Sequence, residues 1–123
     1  MLDHLGLDVK DFERSKAFYE RVLAPLGISL LMEPVPGVAG FGDHQMPYFW
    51  IGQRDRGPQT GVHVAFAAPS REVVDAFHAV TIEAGATDNG GPGMREIYHP
   101  NYYGAFVLDP DGNNVEAVCH RPA

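Results

Sequence analysis

A single cysteine, Cys119, excludes an intramolecular disulfide, so the fold must rest on its core and its hydrogen bonds, and a reducing, cytoplasmic setting is expected. No apolar run approaches the roughly 20 residues that a membrane-spanning helix needs, which excludes a helical span and argues against a membrane partner. The chain opens directly on an alternating strand-like pattern, not on a charged region followed by an apolar stretch, so no cleaved leader is expected. Cations are scarce as well: nine Lys and Arg stand against sixteen Asp and Glu, a formal net charge of −7. Phosphate backbones require clustered Lys and Arg, so nucleic acid is not an expected partner. A small anion stays open, since one local guanidinium such as Arg54, Arg56 or Arg95 is enough to hold it.

What the chain does have is sufficient for one compact domain: 123 residues, 45% of them hydrophobic. Leu2 to Asp8 alternates as a strand, and Asp11 is an N-cap candidate for a helix carrying Phe18, Val22 and Leu23. Pro25 and Gly27 end that helix, and Ile28 to Met32 has strand length. Val38 to Phe41 and Tyr48 to Ile51 read as strands, with Gly42 and Asp43 as turn residues between them. Gln53 to Thr60 has the polar, breaker-rich composition of a connection, after which the order begins again.

Gly61 to Ala67 is the next strand, and Ser70 caps a second helix marked by Val73, Phe77, Val80 and Ala84. Asn89 to Gly93 reads as a Gly/Pro-rich loop, Gly104 to Leu108 and Asn114 to Cys119 as strands, and Asp109 to Asn113 as a tight turn using the Asp-Gly step. Superposing the halves brings His4 onto His63, Ala17 onto Ala76 and Phe18 onto Phe77, so the chain reads as a duplication. A single domain over residues 1–123, built from modules 1–53 and 61–120, is therefore expected.

Equivalent halves put His4 and His63 at matching places on each first strand, where a pseudo-twofold can aim both imidazoles at one cleft. Glu116 stands between apolar Val115 and Ala117 on the last strand, so period-two geometry turns it to the opposite face from those neighbours. Two imidazoles and a carboxylate suit a divalent Fe, Mn, Ni or Zn ion with open positions for substrate oxygens. Taken singly, each residue is better explained as a strand histidine bonded to backbone or as a solvent-facing glutamate. Only the combination points to metal.

The stretches His4-Leu-Gly-Leu-Asp-Val with Asp11, Arg14, Ser15, Phe18, Tyr19 and Leu23-Ala-Pro-Leu-Gly27, then Gly61-Val-His63-Val-Ala-Phe, then Asp109-Pro-Asp-Gly-Asn-Asn-Val-Glu116, resemble the vicinal oxygen chelate superfamily of glyoxalases, bleomycin resistance proteins and extradiol dioxygenases. The resemblance covers almost the whole chain. It implies an α+β fold of two βαβββ modules forming a cupped mixed sheet, a homodimer, and a cup built within one chain or from halves of two. It also implies a divalent metal held by first-strand histidines and last-strand glutamates, onto which His4, His63 and Glu116 map. The first-module counterpart of Glu116 falls near Trp50, so the fourth ligand of glyoxalase I is missing, which argues against lactoylglutathione lyase activity. The three-residue set is closer to those of ring-cleaving dioxygenases and fosfomycin thiol transferases.

Met94 to Tyr103 concentrates groups that bind substrates or move protons. His99 is a candidate acid or base, Arg95 an anion holder, and Tyr102 or Tyr103 a donor to a developing oxyanion. Packing of the tyrosines on the core with wet polar tips explains the same composition. Phe49 and Trp50 are candidate walls of an apolar substrate pocket, although a buried core residue is the commoner role for a tryptophan such as Trp50. The leading expectation is a metal-dependent enzyme acting on a small molecule, by lyase, isomerase, dioxygenase or thiol-transfer chemistry. The rival is a metal-free, bleomycin-type binding protein using the same cup.

Overall fold

The computed structural model describes residues 1–123. Its elements run β1 (Leu5–Asp8), α1 (Phe12–Val22), a 3-10 turn (Ala24–Leu26), β2 (Ser29–Met32), β3 (Val38–Asp43), β4 (Met46–Gly52), β5 (His63–Ala67), α2 (Arg71–Glu83), β6 (Thr87–Met94), β7 (Tyr103–Leu108) and β8 (Asn114–Cys119). They form two four-stranded sheets of identical order, β1-β4-β3-β2 and β5-β8-β7-β6. In each sheet the first strand lies parallel to the last and the other pairings are antiparallel, which makes both sheets mixed. The fold is α+β.

Local chemistry sets the helix limits. The Asp11 carboxylate accepts from Arg14 N at 3.2 Å, and Ser70 Oγ accepts from Val73 N at 3.3 Å, each answering an N–H that the first turn leaves unpaired. Gly27 closes the 3-10 turn in the left-handed region, where a side chain would be strained. The helices cover one face of the sheets. Tyr19 from α1 meets Phe49 of β4 at 4.9 Å, and Phe49 meets Phe66 of β5 at 5.3 Å, so one aromatic cluster joins the modules. The Asp109–Asn113 turn adds a second joint: Tyr19 Oη donates to Asp109 Oδ2 at 2.6 Å, and Asn113 Nδ2 donates to Gln59 O at 3.0 Å.

Three element expectations change. Asn89 to Gly93 is not a loop but lies within β6, an edge strand with register shifts, where Pro92 and three glycines are tolerated because one side of the strand needs no partner. The β3–β4 turn is made by His44 and Gln45, both at positive φ, and not by Gly42 and Asp43. Gly42 serves close approach: a Cβ there would lie 2.0 Å from Met46 O. Finally, β1 begins at Leu5, so His4 lies just outside the strand.

Candidate functional site

The helix-free face of the second sheet collects polar chemistry. His63 opposes Asn114, Ala65 opposes Glu116 and Phe106 opposes Glu116 in the pairing register, so these residues share that face, while Val64, Phe66, Val115 and Ala117 turn to the core. His63 Nε2 lies 2.7 Å from Glu116 Oε1, and Tyr102 Oη donates to Glu116 Oε2. Glu116 is fully buried, whereas the His63 side chain is 53% exposed, so the imidazole is the solvent side of a sunken carboxylate. Burial, with the bond to Glu116, holds the Tyr102 phenol well above its ordinary range, which keeps it protonated as a donor at neutral pH.

Two more groups border the pair. Asn114 Oδ1, on the rung of His63, is buried with no hydrogen-bond partner in the chain. Arg95 extends its guanidinium over the Phe106 ring at 5.4 Å and donates to Gly91 O at 2.8 Å. The Phe106 ring in turn lies 6.3 Å from that of His63.

The matching face of the first sheet is different. The register pairs Gly6 with Trp50 as it pairs Ala65 with Glu116, so Trp50 occupies the rung that carries the carboxylate in the other module. The six-membered ring of Trp50 lies over Gly40, where a Cβ would come within 2.8 Å of it. His4, Trp50, Arg54 and Arg56 line one cavity of about 330 Å³ on this face.

Within one chain His4 does not meet His63 and Glu116, and no group of three His, Cys, Asp or Glu side chains gathers as a metal-binding set. The reason is topological. The two helix-free faces belong to separate sheets, and His4, exposed and 2.7 Å from Asp3, stands on the first while His63 and Glu116 stand on the second.

Of the other site candidates, Tyr102 and Arg95 reach the His63 face. Tyr103 does not: its hydroxyl donates to Asp75 of α2 at 2.6 Å, because the strand alternation sends it to the helix side. His99 sits exposed in the turn before Tyr102 and touches neither Glu116 nor His63; its ring meets that of His120 at 5.3 Å. Phe49, 1% exposed, belongs to the core, which leaves Trp50 alone of that pair on the open face. His120, to which the sequence assigned no role, packs edge-on to Tyr102 at 5.2 Å, a neighbourhood that no local motif signals.

The residues present fit part of a divalent-cation site. Imidazole plus carboxylate is the right donor chemistry, and Glu116 is already fixed by a hydrogen bond to its second oxygen, as metal-ligating carboxylates are. Two donors are fewer than the three protein ligands that a catalytic zinc centre has.

Comparison with known proteins agrees with this architecture. The family model of the Glyoxalase/Bleomycin resistance protein/Dioxygenase superfamily matches residues 1–117. The crystal structure of a glyoxalase/bleomycin resistance protein from Albidiferax ferrireducens T118 is similar at 33% identity and a TM-score of 0.82, with 99% of each chain covered. A glyoxalase candidate from Bacillus halodurans is similar at 30% identity and a TM-score of 0.73, covering 97% of this chain and 95% of its own. A lactoylglutathione lyase from Agrobacterium tumefaciens, at 17% identity and a TM-score of 0.71 over 97% of this chain and 92% of its own, shares the fold. No curated protein matches the chain.

Proposed function

Since the chain belongs to the Glyoxalase/Bleomycin resistance protein/Dioxygenase superfamily, we propose that it is a metal-dependent enzyme whose site is completed across a homodimer, with His63 and Glu116 from one copy and His4 from a second. The observation that carries this reading is the fully buried Glu116 shared between His63 and Tyr102 on an otherwise open sheet face. A buried carboxylate is costly unless it is paired and bonded, and these partners offset that cost on the side where a substrate can approach.

When bound, a divalent cation supplies Lewis-acid polarisation of two substrate oxygens. The chain's own contributions follow from its side chains. His63 Nε2 and Glu116 Oε1, 2.7 Å apart, are the groups of this copy that would hold the cation. Tyr102 holds Glu116 by its second oxygen and keeps its own proton, so it orients the carboxylate without competing for the cation. Trp50, in place of a second carboxylate, removes the group that a proton-shuttling lyase needs, which favours chemistry without an enzyme base at that rung.

The test is complementation. His4→Ala and His63→Ala proteins, each unable to retain Mn, Fe, Ni or Zn, are mixed, unfolded and refolded together. A shared site predicts that about a quarter of the parent's metal capacity returns, because half of the dimers are mixed and each carries one intact site. No recovery would sink the shared site. If the parent itself takes up none of these metals, the metal reading fails and ligand sequestration in the same cup replaces it.

The hydrogen bond that fixes Glu116 gives a second check. A Cβ on Gly104 would lie 3.1 Å from both Glu116 Oε2 and Tyr102 Cε1, tight enough to push the two apart. Gly104→Ala and Tyr102→Phe are each expected to weaken metal retention about tenfold, as loss of a supporting bond does, measured by equilibrium dialysis. Retention equal to the parent's in both would remove Tyr102 from the site.

A further inference from the structure

We infer that the cavity on the open face of the first sheet is a binding site for a small molecule carrying an oxyanion attached to a planar apolar group, with Arg54 as the anion-binding residue and Trp50 as the platform. The site is built on Asp8. Its carboxylate, 6% exposed, receives Arg56 through Nε and, at 3.2 Å, through Nη2, and also Gln59 Nε2 at 3.4 Å. Arg54 Nε lies 3.5 Å from the same carboxylate.

One carboxylate therefore stands against two guanidiniums. Asp8 is the only acidic residue lining the cavity, so a chain of net charge −7 has here a local excess of positive charge. Arg56 is committed to Asp8 by two bonds in a fork geometry, whereas Arg54 touches it through Nε alone and donates no hydrogen bond from its Nη atoms within the chain.

Arg54 lies half exposed beside Gly52. Its guanidinium folds back over Gly52, where a Cβ would lie 3.5 Å from Nε, and so stays on the sheet face that carries Trp50. Gly40 serves this arrangement by admitting the Trp50 ring, while at Gly52 a Cβ would only touch Arg54 at ordinary contact distance. The cavity, about 330 Å³, is the size of a small-molecule site. An indole face beside an uncommitted guanidinium matches an aromatic or otherwise planar carboxylate or phosphonate, the ring stacking and the oxyanion taking the fork.

None of Arg54, Trp50 and Asp8 is a proposed metal ligand, so the inference stands whether or not the chain binds metal. Only its further consequence, that this anion anchors the substrate of the shared site through the neighbouring His4, rests on the dimer reading.

Trp50 is the only tryptophan, so intrinsic fluorescence reports this cavity directly. Parent protein in excess chelator is titrated with benzoate and phenylphosphonate, then with neutral benzamide and cationic benzylamine. Saturable change in Trp50 emission is expected with the oxyanions at concentrations at least tenfold below those at which benzamide acts. Arg54→Gln is expected to weaken oxyanion binding tenfold or more and leave benzamide unchanged, while Arg54→Lys retains part of the preference. Equal responses to benzamide and the oxyanions, or an Arg54→Gln titration that matches the parent's, would overturn the assignment.

Discussion

Glu116→Gln is expected to lower divalent-cation affinity about 100-fold or more while leaving the fold in place. Gln has nearly the shape of Glu and keeps an oxygen for the Tyr102 hydroxyl, so circular dichroism and the thermal midpoint should stay close to the parent's. What it loses is the charge that neutralises a cation and the anionic oxygen 2.7 Å from His63 Nε2. The variant thus separates two roles a buried glutamate can have. A carboxylate that only satisfies His63 and Tyr102 would leave metal uptake unchanged when replaced by its amide. One that ligates would abolish it. Titration of the apo proteins with Mn and Zn decides between these, and unchanged affinity in Glu116→Gln would reject the metal site outright.

Tyr19→Ala is expected to cost about 3–5 kcal/mol of folding stability, the range for removing a large aromatic from a core. Tyr19 is fully buried, packs against Phe18 at 5.0 Å and Phe49 at 4.9 Å, and its hydroxyl is bonded to Asp109 across the module boundary. Since a domain of this kind is stable by only about 5–15 kcal/mol, the variant should fall a large part of the way to unfolding. Tyr19→Phe should cost less, about 1–3 kcal/mol, because only the hydrogen bond to Asp109 is lost and Asn113 still donates to that carboxylate. Urea unfolding of the three proteins measures both steps. A Tyr19→Ala loss below about 1 kcal/mol would mean that the ring is not part of the joint between modules.

The fold was largely legible in the sequence because its main signals are local. Asp11 and Ser70 cap the helices they precede, and Asn114 to Cys119 is a strand as its apolar pattern indicates. The repeated order of elements was legible too, and with it the position of Trp50 relative to Glu116. β6 was not, since a strand written with Gly90, Gly91, Pro92 and Gly93 has no side-chain alternation to read, and its pairing to β7 is a property of the neighbour.

Of the candidate site, the meeting of His63 with Glu116 was legible and the place of His4 was not. His63 and Glu116 are 53 residues apart in sequence and meet because the first and last strands of a module are adjacent, which the repeat implies. That His4 stands apart from them depends on how two sheets pack, and no spacing encodes that. Tyr102 and Tyr103 are neighbours in sequence, yet one reaches Glu116 and the other Asp75, a choice made by the phase of β7. The Asp8–Arg56–Arg54 cluster joins a strand to a connecting loop, and its composition alone reads as ordinary surface charge.

Each sheet holds its last-synthesised strand in an interior slot: β4 lies between β1 and β3, and β8 between β5 and β7. On the ribosome the first module can therefore close once Gly52 is free, while β5 must wait unpaired until Asn114 to Cys119 have emerged. At about 5–20 residues per second that delay is roughly 2–10 s, during which an apolar strand edge is open to other nascent chains. The strand that ends this exposure is the one that brings Glu116 to His63. Assembly of the donor pair and the first pairing of β5 are thus a single event, and any chain that halts before it both exposes an unpaired strand and lacks the His63–Glu116 contact.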